Sequence, residues 1–210
     1  MEVTLMLNQD VHEPSVMTTK RMVMLSQTVL APYVYISATA LRGKFRASSS
    51  TSFRHAMHVL SILINYGVSS PILLKSALVH DVLNEVMDFD SSNIADADED
   101  GPFVLKLVQE ISRDKSNESK DDFLRRIAKT GSQEAKILIS ASRIDTLEDL
   151  GFSTDRNFIK KYCAQTECFV LGMALDVNYS MYLEMLHLMA SRVRFLSPDG
   201  YFCPERKKHA

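Results

Sequence analysis

The chain reads as an all-α protein forming a single domain, on three observations. Only 7 glycines and 6 prolines interrupt its 210 residues. Apolar residues recur at three- and four-residue spacing rather than in alternation. Glycines 67, 131 and 151 stand where such runs stop, as helix terminators do. A hydrophobic share of 46% with 24% charged residues is that of a globular protein with a packed core, and the length suits one domain.

Element by element, residues 1–18 are mixed in character and read as an N-terminal arm, with the domain proper over 19–197 and a polar tail over 198–210. Met22, Leu25, Val29 and Leu30 mark a helix in 20–41 that Pro32 breaks. The run Arg46 to Ser52, poor in helix formers and rich in hydroxyls, is a loop. Met57, Val59, Leu60, Ile62, Leu63 and Ile64 predict a buried helix over 53–66, ended by Gly67. Pro71 opens the next helix, expected over about 71–88 and apolar almost all round, hence central. The acid-rich stretch 88–101 reads as a solvated connector. Further helices are expected at about 102–113, 119–130, 133–149, 155–177 and 178–195, the last with Met181, Met185 and Met189 at helical spacing as core fillers.

The net charge of −2 excludes a field that would gather DNA or anionic membrane, so an anionic ligand needs a local basic site. Neither a leader segment nor a span of eighteen apolar residues is recognisable. Three cysteines, Cys163, Cys168 and Cys203, without CxxC spacing indicate neither a disulfide framework nor a zinc cluster. The expectation is a cytoplasmic protein, with a homodimer left open.

Chemistry enters with His80-Asp81, polar neighbours in the middle of an apolar helix. Burying a carboxylate without a partner costs several kcal/mol, and one divalent cation would satisfy both side chains. A histidine bonded to a carbonyl beside an aspartate paired with an arginine would satisfy them too.

The surrounding pattern resembles the RelA/SpoT-type branch of the HD phosphohydrolases. The segment Arg46-Ala47-Ser48-Ser49-Ser50-Thr51-Ser52-Phe53-Arg54-His55 is similar to that family's basic loop and ligand-bearing helix. Leu74 to Glu85 resembles its central helix with the His-Asp pair, and Ala135 to Leu150 the helix carrying its last ligand. The likeness runs over about 38–195 and favours the short stand-alone hydrolases of guanosine tetraphosphate. It implies an HD-type helical bundle and a Mn2+ ion on His55, His80 and Asp81, with Ser142 where the family has aspartate. A neutral hydroxyl is a poor substitute for that carboxylate, so metal binding is expected to be weak or absent. Asp145, three residues on, lies close to the same helix face and is a candidate replacement.

The family's two acids after His-Asp fall on Asn84 and Glu85, leaving Glu85 as the one acidic catalytic candidate. Arg46, Ser48, Lys115 and Thr146 fall at nucleotide-contacting positions, the last in place of an asparagine, while the family's loop tyrosine and proline fall near Ser52 and Thr51. His58 has no ligand counterpart and is read as supporting or packing. The implied partner is a guanine nucleotide alarmone or a related phosphorylated nucleotide. Two activities follow: a weakened pyrophosphohydrolase, or an inactive descendant that binds nucleotide or regulates.

Overall fold

The computed structural model describes residues 16–46, 50–153 and 155–194. Ser48, the 198–210 tail and most of the 1–18 arm lie outside them. Among the described residues the fold is helical, with no sheet and one isolated bridge between Phe45 and Thr51. The helices are α1 (Val16–Gln27), α2 (Ala31–Ala40), α3 (Ser52–Asn65), α4 (Pro71–Val79), α5 (Val82–Glu85), α6 (Ser92–Ala95), α7 (Gly101–Glu110), α8 (Lys120–Thr130), α9 (Gln133–Asp149), α10 (Arg156–Gln165), α11 (Leu171–Val177) and α12 (Tyr179–Arg194). A 3₁₀ turn, Leu150–Phe152, follows α9, and a π-turn, Thr166–Val170, joins α10 to α11.

Local chemistry sets these boundaries. Pro32 falls in the first turn of α2, where its missing N–H costs nothing. Hydroxyls of Thr51, Ser70, Ser119 and Ser132 accept from the third backbone N–H of α3, α4, α8 and α9. At the end of α3, Gly67 takes φ +88°, and the N–H groups of Gly67 and Val68 bond back to Ile64 and Leu63. This is the Schellman stop that a side chain at residue 67 would strain.

Helix α4 lies in the middle, packed against α2, α3, α7 and α9, and its Leu74, Ala77, Leu78 and Val79 are buried. Helix α9 is the second hub, packing on α3, α11 and α12, with Leu138, Ala141, Ile144 and Leu147 in the core. Met181, Met185 and Met189 fill the space beneath it from α12.

Three expectations are corrected. The single helix expected over 71–88 is two: α4 stops at Val79 and α5 starts at Val82, with His80-Asp81 at the joint. There the His80 ring bonds the Ala77 carbonyl, and the Asp81 carbonyl takes up the N–H groups of Asn84 and Glu85. The stretch 88–101 is no free connector, because Ile94 is fully buried and Asp98 and Asp100 pair with Lys75 at 2.6 and 2.7 Å. Tyr33 also donates to Asp98, at 2.7 Å. Third, Cys168 is disulfide-bonded, against the reading of the cysteines as unpaired.

Cys163 is free and buried, and burial pushes its thiol up to about 11. It is therefore expected to resist alkylation in the folded protein at pH 8 and to react on denaturation. Thiol counting by mass spectrometry after iodoacetamide treatment, native against unfolded, checks this.

Candidate metal and anion site

The site forms where α3, the α4–α5 joint and α9 meet. His55 stands in the first turns of α3 and is 2% exposed; His80 is 3% exposed. Each ring has one nitrogen already committed. His55 Nδ1 donates to Asp145 Oδ2, and His80 Nδ1 donates to the Ala77 carbonyl at 2.8 Å. With Nδ1 of each ring engaged there, the two Nε2 atoms face one another at 3.1 Å.

Asp81 closes the group, with carboxylate oxygens 3.6 Å from each Nε2. Its burial opposes ionisation, yet His80, His55, Arg46 and Lys120 outweigh that and hold its carboxyl down at about 2. His55 is pushed the other way: burial dominates and lowers its pKa. Two imidazole nitrogens and a carboxylate oxygen within 4.8 Å of one another form a donor set that suits a divalent cation. Ser142 Oγ lies 3.2 Å from His55 Nε2 on the same side, where a fourth donor would stand.

Asp145 does not take that fourth position. Its Oδ2 sits behind His55, on Nδ1, and also accepts from Arg46 Nη1 at 2.7 Å; its Oδ1 faces His58 Nδ1 at 3.2 Å. Although burial would raise its pKa, these donors keep it below the usual carboxylate range. His58 and Glu148 complete a second close group around it, with both of them exposed.

Above the histidines opens a cavity of about 350 Å³, lined by Phe45, Arg46, Ser52, Asp81, Glu85, Lys120, Ser142, Thr146 and Tyr162 among others. The Phe45–Thr51 bridge, with Arg46 N–H on Ser50 O at 2.9 Å, closes the loop on itself and brings Arg46 over α9. Thr146 Oγ1 takes its second guanidinium nitrogen at 2.6 Å while bonding Ser142 O at 3.0 Å. A larger groove of about 680 Å³ lies on the α1–α2 side, but its lysine, Lys75, is already paired and no histidine lines it.

Of the expected residues, His55, His80, Asp81, Ser142, Arg46, Thr146 and Glu85 come together. Lys115 and Asn84 do not line the cavity: Lys115 Nζ caps the Asn84 carbonyl at 2.6 Å and lies 3.8 Å from Glu85, and Asn84 Oδ1 accepts from Arg113 N–H at 3.0 Å.

The basic wall is instead Lys120, at the start of α8, with Arg143 behind it. Arg143 is 3% exposed and stacks on Tyr162 at 4.0 Å, with no carboxylate among the described residues within salt-bridge distance. Lys120 is an exposed residue that lines the cavity, its ammonium over the Phe123 ring at 4.8 Å from the centroid. There desolvation, then Arg143, oppose its charge more than Asp81 favours it, lowering its pKa to about 8. Sequence spacing could not have chosen Lys120 over Lys115, since only the loop between α7 and α8 decides which one turns inward.

A consequence is a pH-dependent grip. Lys120 carries its charge below about pH 8 and sheds it above, so the affinity for inorganic pyrophosphate is expected to fall severalfold between pH 7 and 9. Lys120→Met should be weaker at pH 7 and flat across that window in calorimetric titrations.

No protein-family model matches the chain, and no curated protein matches it. Among solved structures, one described as a metazoan ortholog of SpoT that hydrolyses ppGpp and plays a role in starvation responses superposes at a TM-score of 0.66. The match has 23% sequence identity over 78% of this chain and 94% of the other. The chain thus has the all-helical HD-domain fold of that SpoT ortholog.

Proposed function

We propose that the protein is a metal-dependent phosphohydrolase of the RelA/SpoT type, slow because its ion is under-coordinated, acting on guanosine tetraphosphate or a related phosphorylated nucleotide. The observation that carries this reading is the convergence of the His55 and His80 Nε2 atoms, 3.1 Å apart, with the Asp81 carboxylate at the floor of a cavity walled by Arg46 and Lys120. The SpoT ortholog's fold and its stated action on ppGpp favour the same substrate class.

In this reading His55, His80 and Asp81 hold the ion, Ser142 directly or through water fills the fourth position, and Mn2+ suits such a mixed nitrogen and oxygen set. A divalent ion there would polarise a phosphoryl oxygen and lower the pKa of a bound water. The chain's own groups do the rest. Arg46 and Lys120 neutralise the phosphates. Glu85 lines the cavity, and in this reading it accepts a proton from the attacking water. Asn84 has no carboxylate to offer and is occupied with Arg113. Tyr162 lines the wall, with the buried Arg143 guanidinium over its ring.

The test is release of pyrophosphate from guanosine tetraphosphate with Mn2+. Slow release that disappears in His80→Ala is expected. Nucleotide binding without any release would identify a binding or regulatory module instead, the reading that Ser142 and Asn84 favour.

A further inference from the structure

We infer that Asp145 is a positioning residue that couples the metal group to the anion grip, so that cation and anion each tighten the binding of the other. The inference rests on the reading of His55, His80 and Asp81 as metal ligands. It concerns the buried carboxylate behind them, and it comes from one atom. Asp145 Oδ2 is shared by two donors, the Nδ1–H of His55 and Nη1 of Arg46 at 2.7 Å. The carboxylate is 2% exposed and is anchored on its other oxygen by His58, so it cannot swing to serve the two donors separately.

Sharing makes the two bonds competitors. A cation on His55 Nε2 withdraws electron density from the ring, makes Nδ1–H a stronger donor and draws Oδ2 toward it, loosening Arg46. The freed guanidinium can then turn to a phosphate in the cavity. Conversely, an anion that pulls Arg46 away leaves Oδ2 to His55 alone, and the imidazole becomes a more basic ligand. The linkage is positive and, being thermodynamic, reciprocal. It also places one negative charge just outside the ligand set that lacks one at Ser142.

Manganese affinity measured by calorimetry, with no nucleotide present, tests this apart from turnover. Asp145→Asn is expected to weaken binding by about tenfold or more, the usual effect of losing a carboxylate behind a ligating histidine. Arg46→Met is expected to tighten it about threefold or more in the wild-type background, the lower end of couplings between contacting groups. In the Asp145→Asn background the same change should have almost no effect. An equal gain in both backgrounds would mean that Arg46 acts on the ion through space, which overturns the coupling.

Thr146→Val provides a second route that leaves the carboxylate in place. Losing the other anchor of Arg46, 2.6 Å from its Nη2, should also tighten manganese; unchanged affinity would count against the competition. If the wild-type protein binds no manganese at all, the metal reading and the coupling fall together. If it binds and the cycle is additive, only the coupling falls.

Discussion

Ser142→Asp is expected to tighten manganese binding on the order of 100-fold, about 2.7 kcal/mol. Ser142 Oγ already stands 3.2 Å from the His55 Nε2 lone pair, so a carboxylate grown from the same Cα reaches the same side of the ion. It brings the anionic oxygen that a hard divalent cation prefers to a hydroxyl. The metal-free variant should suffer, because the new charge joins Asp81 and Asp145 around one half-buried pocket. Melting therefore ought to fall without metal and rise above wild type with it, and that crossing separates ligation from a general change in stability. Hydrolysis is expected to gain most when Asn84→Glu is added, provided the longer side chain leaves its bond to Arg113. An affinity that does not move would show that Ser142 does not face the ion.

Lys75→Ala is expected to cost about 2–3 kcal/mol, short of the 3–5 kcal/mol for breaking a fully buried ion pair because its acids are partly exposed. Lys75 is 7% exposed at its side chain and bridges Asp98 and Asp100, which are 23% and 34% exposed. Removing it leaves two carboxylates facing each other beside the Tyr33 hydroxyl. For a chain of this size the melting temperature should drop by roughly 5–10 °C. The pH dependence gives the sign. Lys75 holds Asp98 below the ordinary carboxylate range even though burial opposes this, so the stabilisation is complete above about pH 4 and fades as the pH falls through the depressed value. The gap between wild type and variant should therefore close in acid and persist at pH 7. Adding Asp98→Asn and Asp100→Asn to the variant should recover part of the loss.

What could be read from the sequence follows from the range of the forces involved. The bounds of α8 and α9 were legible because caps, terminators and the spacing of Phe123, Leu124 and Ile127 act within a few residues. The break at His80-Asp81 was not, since it depends on a ring turning back to bond a carbonyl three residues earlier. Pairing across long sequence distance was invisible for the same reason. Nothing near His55 announces that Asp145, 90 residues on, lies against it, and nothing in the acid-rich 88–101 stretch announces Lys75. His80 and Asp81 were legible as polar neighbours in apolar surroundings, whereas His55 and Ser142 followed only from the family resemblance. The resemblance pointed to Lys115 because it transfers positions, whereas a loop between two helices decides direction. Asp145 came to notice as a spare ligand, and the fold turns it to the far side of the ring.

Helix α9 bears on how such a site can age. The same seventeen-residue helix gives Ala141, Ile144 and Leu147 to the core, Ser142 and Thr146 to the cavity, and Asp145 to the back of His55. Selection for a folded chain therefore holds the cavity in shape whether or not anything is hydrolysed there. A lineage that lost a ligand would keep the hollow, the facing histidines and the basic rim for as long as the protein remained useful in any form. Return would be short as well, because a carboxylate restored at one position would find the rest of its surroundings still standing.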